Sequence, residues 1–370
     1  MRKIGLCLAF LAFAGIAGFA QAPKSSISKT KPAAKKPGST ATPKRPEVTP
    51  PDGSIATEPN LKIAFIGDVG IGTYQRAVLN LLKSEGAQAV LHQGDFDYHS
   101  DPVGFWSSVN NVLGPNFPYF VSVGNHDVGK WPTTASPSYA GMQLERFPRM
   151  GITPDSLELN NQMYSVTFKG LKVVFVGEQN GVGDAIYAPF IRAQLKSDNH
   201  AWRVCSWHKN MNAMQVGDKT DDMGWGVYEA CREAGAIIAT GHEHSYERTK
   251  TLANFSTQAV DPDYPDPNRL AVTPGRTFAF VSGLGGESIR VQKRCWPIDP
   301  PYGCKGEWAK IYTSNQKAQY GALFITFNVN GDANKAHGYF KTIGGQVVDE
   351  FDITRQSGAV PPAAAAPAKR

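Results

Sequence analysis

Cysteine is scarce in this chain of 370 residues: there are five, at positions 7, 205, 231, 295 and 304. None stands in a C-x-x-C spacing, which argues against a cysteine metal module. Charged residues make up only 19%, and no internal repeat is present. A single apolar run, residues 4–20, approaches the length of a bilayer span, and at 17 residues it is marginal. The body of the chain also lacks a basic surplus. The net charge of +6 belongs to the ends, because residues 61–354 hold 26 Lys and Arg against 29 Asp and Glu. Nothing in the body therefore argues for a nucleic acid or another polyanion as partner.

What is present suffices for a large core. The chain is 41% hydrophobic and 11% aromatic, which excludes a small disulfide scaffold and a fully disordered protein. Arg2 and Lys3 precede the apolar run, and Gly18-Phe19-Ala20 places small residues at −3 and −1 of a cleavage point before Gln21. Residues 1–20 read as an export signal, with an uncleaved anchor as the alternative. Residues 21–60, rich in Pro, Lys, Ser and Thr without hydrophobic periodicity, read as a disordered tether, and 356–370 as a disordered Ala/Pro-rich tail. One folded domain is expected over 61–355, in the periplasm or secreted. Cleavage leaves four cysteines, an even number that favours bridges in an oxidising compartment. Cys295 and Cys304 flank a turn-rich loop that closes easily; Cys205 and Cys231 either pair or stay buried thiols.

Strand-like and helix-like runs alternate along this domain. Strands are predicted at 61–66, 87–92, 119–123, 164–168, 171–176, 202–206 and 237–240, then at 277–282, 320–328, 334–340 and 347–353. Helices are predicted at 73–85, 103–113, 189–197 and 225–233. Strand–helix–strand units followed by strand-rich sequence suggest two packed sheets with helices outside. The long, turn-rich stretch 131–162 reads as a rim. His92, inside a predicted strand, reads as a core group.

Five polar clusters each follow a predicted strand. They are Gly67-Asp68-Val69-Gly70, Gly94-Asp95-Phe96-Asp97-Tyr98, Gly124-Asn125-His126-Asp127, Trp207-His208-Lys209-Asn210, and Gly241-His242-Glu243-His244-Ser245-Tyr246-Glu247-Arg248. Loops at the carboxyl ends of strands converge on one crevice in α/β architectures. Carboxylates and imidazoles bind first-row metal ions, and one carboxylate bridges two of them. Two ions about 3.5–4 Å apart hold a hydroxide and clamp a phosphoryl group. Each cluster alone is weak: Gly-Asp at a strand end is an ordinary turn, a lone histidine a core group, a lone tyrosine a packing aromatic. The signal lies in all five occurring in order.

In this order the blocks resemble the calcineurin-like metallophosphoesterase superfamily, and within it the purple acid phosphatases. Asp68-Val69-Gly70 stands where most of the superfamily has Asp-x-His. Tyr98 follows Asp95 by three, the position of that branch's tyrosinate ligand. The fifth block follows the branch's Gly-His-x-His-x-Tyr-Glu-Arg. The resemblance covers roughly residues 61–345 and implies an α/β fold, a four-layer α/β/β/α sandwich of two mixed sheets flanked by helices. It implies two metal ions: Fe(III) on Asp68, Asp95, Tyr98 and His244, and Fe(II), Zn(II) or Mn(II) on the bridging Asp95 with Asn125, His208 and His242. It casts His126 as the general acid or a phosphate ligand, beside Asn125, with Asp127 orienting His126. The branch's further histidine about ten residues beyond His208 is missing, and Lys209 or Lys219 is the positive charge on offer there. A fibronectin-like N-terminal domain is not expected, since only a tether precedes Leu61.

The expected protein is an exported, acid-phosphatase-like hydrolase of small phosphate esters using a metal-bound hydroxide. A phosphodiesterase or nucleotidase on the same site is the nearer alternative, and an inactive binding protein on this scaffold the farther one. No nucleic-acid partner and no stable membrane anchor are expected.

Overall fold

The computed structural model describes residue 50, residues 52–178 and residues 183–356. The expected signal, the tether up to 49 and the tail beyond 356 lie outside the described residues.

The first strand, β1 (Leu61–Ile66), reads LKIAFI and is buried along nearly its whole length, as a central strand covered on both faces must be. It sits inside a seven-stranded sheet ordered β12 (Arg269–Val272), β17 (Val347–Arg355), β16 (Lys335–Thr342), β15 (Gly321–Phe327), β1, β2 (Ala89–His92) and β3 (Tyr119–Val121). β1, β2 and β3 run parallel, and β15 to β17 form an antiparallel meander beside β1. The second sheet has eight strands: β14 (Trp308–Tyr312), β9 (Tyr246–Thr249), β13 (Ala279–Ser282), β8 (Ile237–Thr240), β7 (Trp202–Ser206), β6 (Leu171–Phe175), β5 (Met163–Phe168) and β4 (Ser156–Glu158). β6, β7, β8 and β13 are parallel to one another. A small ribbon joins β10 (Leu252–Asn254) to β11 (Ala259–Val260).

The two sheets pack face to face through aromatic side chains. Phe65 of β1 meets Phe280 of β13 edge-on at 5.1 Å, and Trp202 of β7 meets Phe327 of β15 at 5.3 Å. Each such ring contributes about 1.5–3 kcal/mol by leaving water. Helices α1 (Thr73–Ser84) and α2 (Pro102–Leu113) pack together beside the first sheet, and α1 buries Val78, Leu79, Leu81 and Leu82. Helices α4 (Ala188–Leu195) and α5 (Trp225–Glu233) cover the second sheet, where Ile191 and Val227 join Val174, Cys205 and Ile238. The Cys205–Cys231 disulfide ties β7 to α5, and Cys295 is bonded to Cys304. The architecture is the four-layer α/β/β/α sandwich.

Two segments differ from the sequence reading. Residues 131–162 hold a helix, α3 (Tyr139–Arg149), capped by the Ser138 side chain, which accepts from Gly141 N. Its buried face interrupts Tyr139, Ala140 and Phe147 with Gln143 and Arg146, so the apolar stripe is broken, and Pro148 sits in its last turn. Inside, Arg146 lies over the Trp106 ring and donates from Nη1 to Asn110 Oδ1 and from Nη2 to the Phe117 carbonyl. Residues 52–60, tether-like in composition, pack on the body: Ile55 N donates to Asn199 O, Ala201 N donates to Ile55 O, and Asn328 Nδ2 donates to Thr57 O. Backbone docking of this kind leaves no hydrophobic pattern to read.

Candidate metal centre

All five clusters leave their strands at the carboxyl ends, from β1, β2 and β3 of the first sheet and from β7 and β8 of the second. The exits are tight. Asp68, Asp95, Tyr98 and His242 hold left-handed φ values of 57°, 57°, 61° and 71°. Such a conformation costs a non-glycine residue about 1–2 kcal/mol, so surrounding contacts must enforce it. The loops also press together where only glycine fits. A Cβ on Gly124 would stand 2.2 Å from Asp95 Oδ1, and one on Gly94 (φ 82°) 2.8 Å from His208 Nδ1.

Two groups of ligand-type atoms result. In the first, Asp95 Oδ2 lies 3.2 Å from His208 Nε2, which lies 3.1 Å from His242 Nδ1. One ligand atom from each of these three residues falls within 4.8 Å of the others. His208 Nδ1 is committed to Gln93 O at 2.7 Å, which aims Nε2 into the group. The buried Oδ1 of Asn125 has no hydrogen-bond partner among the described residues. In the second group, Tyr98 Oη lies 3.1 Å from Asp68 Oδ1 and 3.2 Å from His244 Nε2, and those two atoms are 3.3 Å apart. His244 Nδ1 is held by Ser288 Oγ at 2.6 Å. Lone pairs crowd inward in both groups and an amide oxygen is orphaned, so hard and borderline cations fit this donor set.

The electrostatics agree. Burial pushes the Asp68 and Asp95 carboxyls up, but His244 beside the first and His208 beside the second outweigh it and hold both below the ordinary carboxylate range. Burial pulls His208 down, yet Asp95 wins and holds it at about 9. A proton shared between Asp95 and His208 would therefore have to leave for a cation to bind there. Burial, then the His208 charge, pushes His242 far down and keeps it a neutral imidazole. Burial, then the charges of Asp68 and Asp95, pushes the Tyr98 phenol up; a bound cation reverses that direction. His92 is a core group: fully buried, bonded to Tyr119 and Gly94 O, and pulled down to about 3 by burial.

The remaining expected site residues are placed differently from one another. The His126 side chain is 48% exposed, with its ring 4.5 Å from that of Tyr98 and Nε2 4.0 Å from Asp95 Oδ2. Asp127 makes no hydrogen bond to the His126 ring among the described residues. Instead Oδ2 accepts from Gly124 N and Asp95 N at 2.7 and 2.8 Å, and Oδ1 from Phe96 N at 2.9 Å. The orienting contact expected from the sequence is replaced by three backbone clamps, because a buried carboxylate next to unpaired N–H groups satisfies them first. Lys209 does not stand open to a substrate either: it is paired with Glu178 at 2.8 Å and lies 3.6 Å from Asp222. Ser288 escaped the sequence reading, since a lone serine in a loop carries no signal. A cleft of about 650 Å³ lined by Asp198, Arg203 and Arg355 borders the amino end of β7, away from His208, so cavity size alone does not point to this centre.

With this geometry in view, residues 61–246 match the family model for calcineurin-like phosphoesterases, half of the chain. The chain belongs to the calcineurin-like phosphoesterase family. Within it the chain resembles purple acid phosphatases. It is 25% identical over 234 residues to purple acid phosphatase 22 of Arabidopsis thaliana, and 22% identical over 240 residues to purple acid phosphatase 21 of the same plant. Each alignment covers 57% of this chain and 51% of the relative, so the chain spans about half the length of the curated relatives it matches. Among solved structures, purple acid phosphatase PPD1 from yellow lupin (Lupinus luteus) seeds matches with a TM-score of 0.59 at 17% identity, over 80% of this chain and 54% of that one. GAP50, the anchor in the inner membrane complex of Plasmodium, matches with a TM-score of 0.51 at 12% identity, over 81% and 90%. At these identities the structural likeness shows the fold alone. Family membership implies use of a metal pair, and Asp95, His208 and His242 offer a compact Asp/His site for it. No helix among the described residues is long and apolar enough to cross a membrane.

Proposed function

We propose that this protein is an exported, dinuclear metal-dependent phosphomonoesterase of the acid-phosphatase kind. The observation that carries the reading is the convergence of six donor side chains from two sheets into two adjoining groups, with Oδ1 of Asn125, unpartnered among the described residues, at the fifth strand exit. Asp68, Tyr98 and His244 would hold Fe(III), with Asp95 bridging to an Fe(II), Zn(II) or Mn(II) ion on Asn125, His208 and His242. When bound, the metal pair supplies Lewis acidity and a nucleophile at moderate pH.

The chain's own residues do the rest. His126 lies at the open side of the ligand groups, where its imidazole delivers a proton to the leaving alkoxide. Asn125, next to it in the same turn, would meet both ion and substrate. Asp127 fixes the turns that carry Asp95 and Asn125. Lys209, paired with Glu178, reaches a substrate oxygen only by leaving that carboxylate. Residues 1–20 act as the export signal, the chain from 21 up to the docked residues 52–60 as the tether, and 61–355 as the catalytic domain. Two disulfides within this domain support an oxidising destination.

Metal analysis and phosphate release from an aryl phosphate test the reading. His208→Ala and Asn125→Ala are expected to lower occupancy of the second ion and to cut turnover at least about 100-fold, with the fold retained by circular dichroism. Full activity at normal metal content in either variant would sink the assignment.

A further inference from the structure

Glu243 stands between His242 and His244, and its side chain is almost wholly buried. Arg290 borders it directly, and the loop that carries Lys219 rests on it. Arg290 N donates to His244 O at 2.9 Å, while Nη1 donates to His242 O at 3.3 Å and lies 3.5 Å from Glu243 Oε2. The guanidinium is thereby pinned beside two metal-ligand candidates, yet the side chain is 40% exposed. Among the described residues its Nε and Nη2 make no hydrogen bond, so donors remain for an incoming anion.

The loop 211–222 also reaches Glu243. Gly217 rests directly on the Glu243 carboxyl, where a Cβ would stand 2.4 Å from Oε2. Two residues on, the Lys219 carbonyl is fixed by Asn212 Nδ2 at 2.6 Å and Gln215 Nε2 at 3.0 Å. The loop is stapled to the Arg290 segment, since Lys293 N and Arg294 N donate to Val216 O and Arg294 Nη1 donates to Gln215 O. The half-buried Lys219 ammonium makes no ion pair or hydrogen bond among the described residues, and its charge acts on Asp68, Asp95 and Glu243. Lys209 is already matched by Glu178 and Asp222, whereas Lys219 has no ion pair among the described residues and Arg290 has only the one with Glu243. These two side chains leave positive charge available at the edge of the centre.

We propose that Arg290 and Lys219 are specificity-determining residues of this site, binding the non-reacting oxygens of the substrate and favouring a dianionic phosphate monoester over a monoanionic diester. The proposal rests on the phosphoesterase reading above. A planar guanidinium matches two phosphate oxygens at once, and an ammonium adds a point charge. A second negative charge on the substrate gains from that surplus, and a diester has none to offer.

The test uses the metal-loaded, full-length chain with an aryl phosphate monoester and the matching aryl alkyl diester. Arg290→Gln and Lys219→Met are expected to lower kcat/KM for the monoester about 10–100-fold, chiefly through KM, and to lower the monoester-to-diester ratio at least about fivefold. Lys219→Arg is expected to restore much of the ratio, and metal content stays at the wild-type level. Binding of inorganic phosphate, measured by calorimetry, is expected to weaken at least about tenfold in each variant. An unchanged ratio in the folded variants, or phosphate binding as tight as wild type, overturns the proposal. A wild type that hydrolyses neither substrate sinks the phosphoesterase reading alone, and phosphate binding then decides this one.

Discussion

Asp127 links two loops through backbone groups alone, and that sets what its loss should do. Its oxygens accept Gly124 N from its own turn and Asp95 N and Phe96 N from the neighbouring one. Burial and the Asp95 charge push its carboxyl up, while the N–H donors oppose them. Asp127→Asn keeps the shape but turns one acceptor into a donor facing an N–H. A loss of about 2–4 kcal/mol is expected in urea unfolding, together with weaker metal binding, because Asp95 rides on the neighbouring turn that Asp127 clamps. Wild-type stability in that variant would show that the clamps are dispensable. Tyr98 gives a spectroscopic counterpart. Its hydroxyl sits within hydrogen-bond reach of both Asp68 and His244, and a phenolate is a hard, charged donor suited to Fe(III). Iron-loaded, oxidised protein should therefore show a visible tyrosinate-to-iron charge-transfer band, absent in Tyr98→Phe. An unchanged band in the phenylalanine variant removes Tyr98 from the ligand set.

At the scale of the element, β9 shows how a strand hides in its sequence. Tyr246–Thr249 reads Tyr-Glu-Arg-Thr, mostly polar, and every residue is buried. The strand is stable because Arg248 meets Asp349 of β17 with two hydrogen bonds, at 2.7 and 2.9 Å, Tyr246 donates to the same carboxylate, and the Arg248 guanidinium lies over the Phe351 ring. Burial pushes Asp349 up, but Arg248 and Tyr246 outweigh it and hold the carboxyl below its usual value. A depressed carboxylate stabilises the fold above the unfolded value of about 4, and the contribution fades as pH falls below that. Asp349→Asn should thus cost about 3–5 kcal/mol at pH 7, with Arg248 left buried and uncompensated, and the gap to wild type should narrow near pH 3. Equal gaps at both pH values in urea unfolding would contradict this.

The same logic separates what was legible from what was not. The strands leading to the site are apolar runs ending in glycine or a tight turn, so β1, β2, β3, β7 and β8 could be read with their five clusters. Helix α3 and β9 bury Arg, Gln and Glu, which reverses the pattern that reading relies on. The groups that brace the site are harder still, because Ser288, the Gln93 carbonyl and Arg290 come from loops and backbone atoms that leave no periodic trace.

For the molecule as a whole, the two sheets bring different donor side chains to one place. Asp68, Asp95, Tyr98 and Asn125 follow strands of the first sheet, and His208, His242 and His244 strands of the second. A metal pair held this way binds across the sandwich and only in the folded state, where the two halves meet. Such binding stabilises by mass action, about 4 kcal/mol when the free ion stands at 1,000 times its dissociation constant. At about 2–4 °C per kcal/mol for a domain of this size, chelation should lower the thermal midpoint by about 10 °C. The Cys295–Cys304 bridge supplies a control that acts elsewhere. It closes a short loop outside both ligand groups and is worth about 3 kcal/mol in the chain-entropy picture. Replacing both of its cysteines by serine should lower the midpoint while leaving metal content and the chelation-dependent shift intact. Identical melting of metal-loaded and chelated protein would mean that no ion couples the sheets, and the two ligand groups would then have to be explained as a polar core without a cofactor.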